Sequence, residues 1–200
     1  MKDVIQRCYP DCPADKITVL PWGNLAPRVD APAIETPEVV VLTLSRLSPE
    51  KGIERLLAAL PHVTGNVRVW ICGAAAYMKG RRYEAKLRRL ADGRVEFLGH
   101  VTGARKAAVL QRADIFVSPS RHESYGLTIE EARAAGCRVV SHGHYGAAGT
   151  VVDCGAPREL ARVLNEMIAA GRTVKTAGAA PVSAAAARVA EILAEVAATR

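Results

Sequence analysis

Aromatic residues are scarce in this 200-residue sequence, at 4% of all positions. Proteins that hold single-stranded nucleic acid stack its bases on aromatic side chains, so this scarcity argues against a nucleic-acid partner. The sequence also lacks an uncharged apolar run of the ~18–20 residues that a membrane span needs. The first 16 residues, MKDVIQRCYPDCPADK, have no apolar segment of the secretory type. We therefore expect a soluble, cytoplasmic protein with one sizeable core.

Cysteines are few and irregularly spaced. Cys72 and Cys137 lie within apolar runs, which favours a place in the core. Cys8 and Cys12 are four residues apart, but no second Cys or His pair follows at the spacing of a metal site. We predict reduced thiols, no metal and no cofactor, with Cys154 as the fifth thiol.

Negative charge is in the minority, because the net charge is +7 and the isoelectric point is about 9.4. Such a balance favours anionic partners, including phosphorylated ligands and membrane surfaces. The densest basic stretch is KGRRYEAKLRRLADGR, at positions 79–94. A solvated helix face is the simpler interpretation of this stretch. The alternative is a weak peripheral contact with the inner face of a membrane.

Short apolar, β-branched runs alternate with longer amphipathic segments along most of the chain. This alternation predicts an α/β domain with a parallel sheet and helices on both of its faces. Strands are predicted at 38–44, 67–73, 94–101, 114–120 and 137–142. Helices are predicted at 48–60, at 74–91 with a break or a delayed start at Gly80, and at 102–113, 127–136, 157–171 and 183–198. Ligands of such sheets bind beyond the carboxyl ends of the strands.

Two cations follow the first predicted strand. Arg46 and Lys51 flank a predicted helix start, with Ser48 as the N-cap and Pro49 as the first helical residue. Cations beside a helix N-terminus bind anions such as phosphate, because the helix dipole and the free amides add to their charge. The alternative interpretation is a pair of exposed cations in a basic protein.

Two acids follow the fourth predicted strand, in the stretch RHESYGLTIEEARAAG. Glu123 lies in the loop, and Glu131 lies one and a half turns inside the next helix. Glu130 is about 100° round that helix, so it cannot face the same cleft as Glu131. Carboxylates in such a cleft are suited to accept hydrogen bonds from the hydroxyls of a sugar or ribose. Together with the cations, they predict a nucleotide-sugar site.

These stretches resemble the C-terminal, donor-binding half of the retaining GT-B glycosyltransferases, the group that includes glycogen synthases. The matching segments are ITVLPWG, LSRLSPEKGIERLLAAL, VEFLGHV and ADIFVSPSRHESYGLTIEEARAAGCRVVS, in family order over roughly residues 17–141. The resemblance implies a single Rossmann-like domain, which is one half of a GT-B fold. It also implies a crossover segment at 1–36, a nucleotide-sugar-binding domain at 37–172, and a linker with a final helix at 173–200.

The resemblance further implies a role for individual residues. Arg46 and Lys51 match the catalytic cation pair that holds the donor diphosphate, and Glu123 matches the acid that contacts the donor sugar. Glu131 matches the acid that holds the ribose. Other donor-binding positions are implied at Gly99 and His100 near the base, and at Ser124, Tyr125, Gly126 and Leu127 near the sugar and phosphate. The reaction implied is hexosyl transfer from a nucleoside diphosphate sugar with retention, without a metal.

Three departures from the family pattern bear on the function. The acceptor-binding half is absent from these 200 residues, so the resemblance implies a separate acceptor domain or subunit as partner. Thr150 stands where the family has an acid, in GAAGT (146–150). The following strand is either missing or stunted at Val151 and Val152. A non-catalytic binding or assembly module and a sugar-nucleotide epimerase therefore remain as alternatives.

Overall fold

The computed structural model describes residues 2–18, 34–75, 77–123, 125–143, 149–172 and 183–198. Its strands are β1 (Val39–Leu44), β2 (Val67–Cys72), β3 (Val95–Gly99), β4 (Ile115–Ser118), β5 (Arg138–His142) and β6 (Thr150–Val152). Its α-helices are α1 (Lys2–Cys8), α2 (Ile53–Ala59), α3 (Tyr77–Leu90), α4 (Gly103–Arg112), α5 (Leu127–Ala134), α6 (Pro157–Ala169) and α7 (Ser183–Ala198). Short 3₁₀ turns lie at Ala14–Lys16, Pro49–Lys51 and Leu60–His62.

The strands form one parallel sheet in the order β3-β2-β1-β4-β5-β6. The predicted α/β class with a parallel sheet is therefore confirmed. Strand β1 lies at the centre, and its first five residues are buried, as its unbroken β-branched sequence predicts. Of the two alternatives for Val151 and Val152, the structure shows the second, because β6 is a three-residue strand paired with β5.

Alternate residues of each strand enter two separate cores, one on each face of the sheet. One core joins Val41, Val69 and Val117 to apolar side chains of α2, α3 and α6. The other joins Leu42, Trp70 and Phe116 to apolar side chains of α4 and α5. Helices therefore cover both faces of the sheet, which leaves its carboxyl edge as the place where loops meet a ligand.

The segment after β1 folds differently from the prediction. The predicted helix begins at Pro49, but the structure has a 3₁₀ turn at Pro49–Lys51 and a left-handed Gly52, so α2 begins at Ile53. Lys51 is thus outside the α-helix. The predicted apolar stripe is confirmed, since Ile53, Leu56, Leu57 and Leu60 are all buried.

Gly80 neither breaks nor delays α3, which is continuous from Tyr77 to Leu90. The prediction was wrong because it considered only helix propensity. A Cβ at position 80 would lie 2.9 Å from the carbonyl carbon of Ala75, so glycine is the residue that lets α3 pack this close to the preceding turn. Tertiary packing therefore explains this glycine.

The chain divides into two compact units, residues 26–179 and residues 1–25 with 180–200. The first unit contains the whole sheet and helices α2 to α6. In the second, the structure describes α1, the 3₁₀ turn at Ala14–Lys16 and α7. The predicted boundaries at 36/37 and 172/173 stay a prediction. None of the described helices combines the length and apolar character of a transmembrane segment.

Candidate functional site

The loops after β1 and β4 lie side by side at the carboxyl edge of the sheet. These two strands are neighbours, and the chain runs outward from them in opposite directions, through β2 and β3 on one side and β5 and β6 on the other. This reversal of strand order opens a crevice in which doubly wound folds bind ligands. Most of the predicted site residues belong to these two loops and to α5.

Lys51 and Glu123 form a largely buried ion pair in this crevice. Lys51 Nζ lies 2.5 Å from Glu123 Oε1, and the two side chains are 13% and 14% exposed. Ser120 Oγ donates a second hydrogen bond to Oε1, at 2.8 Å. Glu123 Oε1 therefore has two donors, whereas the described residues provide no partner for Oε2. The carboxylate can accept a further hydrogen bond from a ligand through that oxygen.

Arg46 has a different environment from Lys51. Its side chain is 57% exposed, and Nη2 lies 3.5 Å from Glu50 Oε1. The two predicted cations therefore sit in the same loop, but only Lys51 is held in place by a buried partner. Arg46 is long enough to turn toward an anion in the crevice, since its partner is exposed and weakly placed.

Glu131 is a buried acid with one oxygen paired and one oxygen free of any described partner. It is 8% exposed, and Oε1 accepts a hydrogen bond from Lys106 Nζ at 2.6 Å. Oε2 is buried without a described hydrogen-bond partner. An unsatisfied buried acceptor costs roughly 1–3 kcal/mol, so this oxygen calls for an explanation such as a ligand hydroxyl.

Glu130 points elsewhere, as its position on the helix predicts. Its Oε1 pairs with Arg133 Nη1 at 3.1 Å, and both side chains are more than one-third exposed. Glu123 and Glu131, eight residues apart, are therefore the two acids of the crevice, and Glu130 is an ordinary surface acid. Glu130 is the natural control for any experiment on Glu131.

The N-terminus of α5 faces the carboxyl edge of the sheet between the two acids. Gly126 adopts a left-handed conformation (φ +80°) just before Leu127, the first helical residue. The amides of Gly126 and Leu127 donate to no backbone acceptor among the described residues. Free amides at a helix start favour anions. Tyr125 is half-buried beside them, and the predicted Ser124 lies outside the described residues.

Gly99 and His100 lie further away, at the end of edge strand β3, and both are exposed. Strand β2 separates them from β1. Their main described contact is a hydrogen bond from Gly73 N to Gly99 O, at 2.8 Å. The structure therefore places them on the predicted edge, but it does not bring them into contact with Lys51, Glu123 or Glu131.

Arg121 ties the β4–α5 loop to the segment after β1. Its amide donates to Glu50 O at 2.8 Å, and its Nη2 lies 2.7 Å from Glu54 Oε1. Arg55 adds a hydrogen bond from Nη1 to Pro119 O, at 3.3 Å. These contacts fix the distance between the loops that present Lys51 and Glu123.

Sequence reasoning missed these supporting residues for different reasons. Ser120 precedes Glu123 by three residues, so loop proximity could have indicated it. The partners Arg121–Glu54 and Lys106–Glu131 are 67 and 25 residues apart, and no local pattern marks them.

His142, at the end of β5, bonds to the loop after β6. Its Nδ1 accepts a hydrogen bond from the amide of Cys154 at 3.2 Å, so a neutral ring has its proton on Nε2. His122 is exposed, and His144 lies outside the described residues.

Three of the described thiols, Cys72, Cys137 and Cys154, are buried. This confirms the prediction for Cys72 and Cys137. Burial raises the pKa of Cys72 and of Cys154 to about 12, so both stay protonated at neutral pH. Within the described residues, no three His, Cys, Asp or Glu side chains come together as a metal site.

The ion pair of Glu54 predicts a loss of stability in acid. Burial raises the pKa of Glu54, but hydrogen bonds from Tyr83 and Arg121 outweigh burial and lower it below its usual 4.5. The stabilisation is therefore present at neutral pH and is lost as the pH falls below about 4.5 and through the folded-state pKa. We expect Glu54→Gln to lower the free energy of unfolding by about 1 kcal/mol at pH 7, because its partner Arg121 is half-exposed.

Urea unfolding at pH 7 and at pH 3.5 checks this expectation. The difference between wild type and Glu54→Gln should shrink at the lower pH. Glu166→Gln is the control, because its pair with Arg162 is exposed on both sides. A difference for Glu54→Gln that is the same at both pH values would contradict the assignment.

Gly52 is the second point at which the loops are held together. It has φ +60°, and a Cβ there would lie 2.4 Å from Pro119 O. We expect Gly52→Ala to cost about 1–3 kcal/mol, from the left-handed backbone and from displacement of the Glu123 loop. Thermal unfolding measures this loss. Gly93→Ala is the control and should be near neutral, since a Cβ there meets nothing within 4 Å. Equal losses of stability at both glycines would contradict the close approach of Gly52 to Pro119 O.

Comparison with known proteins identifies the family of this chain. Residues 29–190 match the family model described as Glycosyl transferases group 1. Alpha-monoglucosyldiacylglycerol synthase of Streptococcus pneumoniae is 32% identical over 114 residues, which are 56% of this chain and 26% of that protein. Phosphatidyl-myo-inositol mannosyltransferase of Mycolicibacterium smegmatis is 33% identical over 153 residues, 70% of this chain and 38% of that protein. The chain thus spans well under half the length of these curated relatives.

A solved structure extends the likeness to the fold. Anabaena Alr3699/HepE, crystallised in complex with UDP and glucose, aligns with a TM-score of 0.68 at 26% identity. The alignment covers 79% of this chain and 48% of that chain. The family match covers most of the chain and includes both loops of the crevice. It confirms the family that the stretch with Glu123 and Glu131 predicted. The chain belongs to the group 1 glycosyltransferase family.

Proposed function

We propose that this chain is the nucleotide-sugar-binding half of a retaining glycosyltransferase, which transfers a hexosyl group from a nucleoside diphosphate sugar. The observation that carries the proposal is the pair of half-satisfied carboxylates, Glu123 and Glu131, on either side of the α5 N-terminus. Each has one oxygen held by a lysine. Glu131 Oε2 is buried without a described partner, and the described hydrogen bonds of Glu123 all go to Oε1. Two such acceptors suit the two polyhydroxylated parts of a nucleotide sugar.

Glu131 is assigned to the ribose. Its paired oxygen is fixed by Lys106, so its second oxygen is held in one orientation. No described residue donates a hydrogen bond to Glu131 Oε2. A vicinal diol of the ribose would supply that hydrogen bond. Lys106 also supplies the compensating charge that a buried carboxylate needs.

Glu123 is assigned to the donor sugar, and Arg46 and Lys51 to the diphosphate. In the bond-breaking step the glycosidic bond to the diphosphate lengthens, and negative charge builds on the leaving phosphate oxygen. The two cations and the amides of Gly126 and Leu127 stabilise that charge electrostatically. Glu123 positions the sugar hydroxyls and does not act as a nucleophile. No metal or other cofactor takes part in this proposal.

The identity of the acceptor is left open, and the chain matches only 26% and 38% of the two relatives described above. We propose that a separate domain or subunit binds the acceptor and completes the enzyme, and that the protein acts in the cytoplasm. The UDP and glucose of the Anabaena complex support a nucleotide-sugar ligand. The base and the sugar are left open.

A second function is a non-catalytic binding module that kept the fold. Thr150 favours it, because it occupies the family's acid position and lies in the short edge strand β6. This alternative predicts weak or absent nucleotide binding, together with a protein partner recovered by pull-down. Tight, Glu131-dependent binding of a nucleotide sugar would exclude it.

Calorimetric titration with UDP, GDP, ADP and their glucose or mannose conjugates tests the proposal. We expect at least one diphosphate to bind, and Glu131→Gln to weaken it about ten- to a hundredfold through loss of charge-assisted hydrogen bonds. The 2′-deoxy form of that diphosphate should bind the wild type more weakly, whereas Glu131→Gln should scarcely distinguish the two forms.

Glu130→Gln is the matched control, with the same chemical change one residue away on the exposed face. Its affinity should equal that of the wild type. If no diphosphate binds, or if Glu130→Gln and Glu131→Gln lose affinity equally, the proposed site is wrong.

A further inference from the structure

The outer face of α3 presents four cations that no described acid neutralises. Arg81, Arg82, Lys86 and Arg89 are exposed, whereas Gly80, Tyr83 and Leu87 are buried on the opposite side of the helix. In the described part of the chain, no Asp or Glu lies within ion-pair distance of these four side chains. We refer to them as the α3 basic face.

Several exposed cations on other helices of the described structure have an acidic neighbour. On α6, Arg162 Nη1 lies 2.6 Å from Glu166 Oε1, and on α7 Arg188 lies 2.8 Å from Glu191. Helix α3 instead has six Lys and Arg residues and one acid, Glu84, which pairs with Arg88. Its formal charge is +5, in a chain whose total is +7.

Helix stability accounts for only part of this arrangement, since Arg89 lies in the last turn, where a cation favours the helix dipole. Arg82 and Lys86 are like charges at i and i+4, and such pairs destabilise a helix. The first turn also has no acid, although an acid there favours the helix dipole. The Arg82–Lys86 pair is therefore a local cost to the helix that an external anionic surface can offset.

We propose that the α3 basic face docks on an anionic lipid bilayer, with Leu90 entering the headgroup region. Leu90 is 48% exposed and lies one turn after Lys86, on the same side of the helix. The helix is about 21 Å long, and laterally mobile headgroups can collect under each cation along that length. A basic cluster of this size on an amphipathic helix is typical of binding to anionic lipids.

Nucleic acid fits the same face less well. Between positions 80 and 90 the only aromatic side chain is Tyr83, which is buried, so no ring there is free to stack on a base. The apolar side chain of Leu90 can insert among lipid headgroups, whereas a phosphodiester backbone offers it no apolar contact. The docking needs nothing from the crevice, so it can hold or fail independently of the proposed function.

Vesicle co-sedimentation of the 200-residue chain tests the proposal. Vesicles of phosphatidylcholine alone are compared with vesicles containing one-third phosphatidylglycerol, at low and at high salt. We expect binding only to the anionic vesicles, weakened by salt, because screening shortens the reach of surface charge. Removing one cation near the surface should cost about fivefold in affinity, so the charge reversal Arg82→Glu with Lys86→Glu should cost at least about twentyfold.

The double variant Arg158→Glu with Arg162→Glu on α6 is the matched control, because it makes the same change in net charge. Affinity that falls in the α3 variant and is nearly retained in the α6 variant supports the proposal, provided that circular dichroism shows both variants folded. Equal losses would assign the effect to net charge and overturn it. Absence of binding to anionic vesicles would also overturn it. If RNA or duplex DNA at equal phosphate concentration displaces the protein from the vesicles, the proposal is also overturned, and the result favours a nucleic-acid partner.

Discussion

Asp114→Ala is expected to lower the free energy of unfolding by about 3–5 kcal/mol, a large share of the ~5–15 kcal/mol typical of a domain. Asp114 Oδ2 lies 2.8 Å from Arg112 Nη1, and the two side chains are 3% and 5% exposed. The same oxygen accepts the amide of Val40 at 2.9 Å. Removing the carboxylate leaves a buried guanidinium without its counter-charge and a central strand without one of its hydrogen bonds.

The buried pair joins three segments at the amino edge of the sheet. Arg112 Nη2 donates to Thr36 O at 2.8 Å and to Glu38 O at 2.7 Å, so it holds the chain that leads into β1. Urea unfolding of Asp114→Ala measures the loss. Glu166→Ala, which breaks an exposed pair, should change stability by less than about 0.5 kcal/mol.

A double variant separates the two causes of this loss. Arg112→Met with Asp114→Leu removes both charges, and it should recover much of the stability lost by Asp114→Ala alone. If Asp114→Ala itself costs less than about 1 kcal/mol, the pair does not stabilise β1 and β4 as described.

Lys51→Ala is expected to weaken nucleoside diphosphate binding by about a hundredfold, more than the loss of an exposed cation. Lys51 compensates Glu123 at 2.5 Å. Under the proposed function, its removal takes away a phosphate partner and also leaves an uncompensated carboxylate beside the anion. The loss should be confined to ligands that contain phosphate. Calorimetry with the diphosphate and with the matching nucleoside distinguishes these ligands.

Restoring charge balance provides the check on this explanation. Lys51→Ala with Glu123→Gln removes the repulsion and should recover part of the diphosphate affinity. Arg162→Ala, a distant exposed cation, should leave binding unchanged. An equal loss for the nucleoside and the diphosphate in Lys51→Ala would show that the variant disturbs the loop and not a phosphate contact.

The sequence predicted the layers of this fold because its patterns are local. The β-branched run of β1, the apolar stripe of α2 and the acid pair of the α5 stretch are each visible within a short window of sequence. From strand alternation alone, the carboxyl edge follows as the place for Lys51, Glu123 and Glu131. The separation of Glu130 from Glu131 also follows from helical geometry and was confirmed.

Interactions between distant segments could not be predicted in the same way. The sequence predicts Gly52 as an ordinary helix residue, whereas the structure places its Cα close to Pro119 O. The sequence predicts Gly80 as a helix breaker, whereas the structure packs it against Ala75. Lys106 resembles any exposed lysine of α4, yet it lies 2.6 Å from Glu131 Oε1. These residues are determined by tertiary distances, which neither periodicity nor propensity contains.

Amide chemical-shift mapping of the ¹⁵N-labelled chain, titrated with UDP, GDP and ADP, tests the central claim most directly. We predict that at least one nucleotide shifts the amides of Lys51, Gly126, Leu127 and Glu131 and leaves those of Val40 and Asp114 unchanged. Saturable shifts at the carboxyl edge that vanish in Glu131→Gln would place the ligand where the two half-satisfied carboxylates lie. Absence of shifts with all three nucleotides, or shifts centred on the amino edge of the sheet, would contradict a nucleotide-sugar site in this chain.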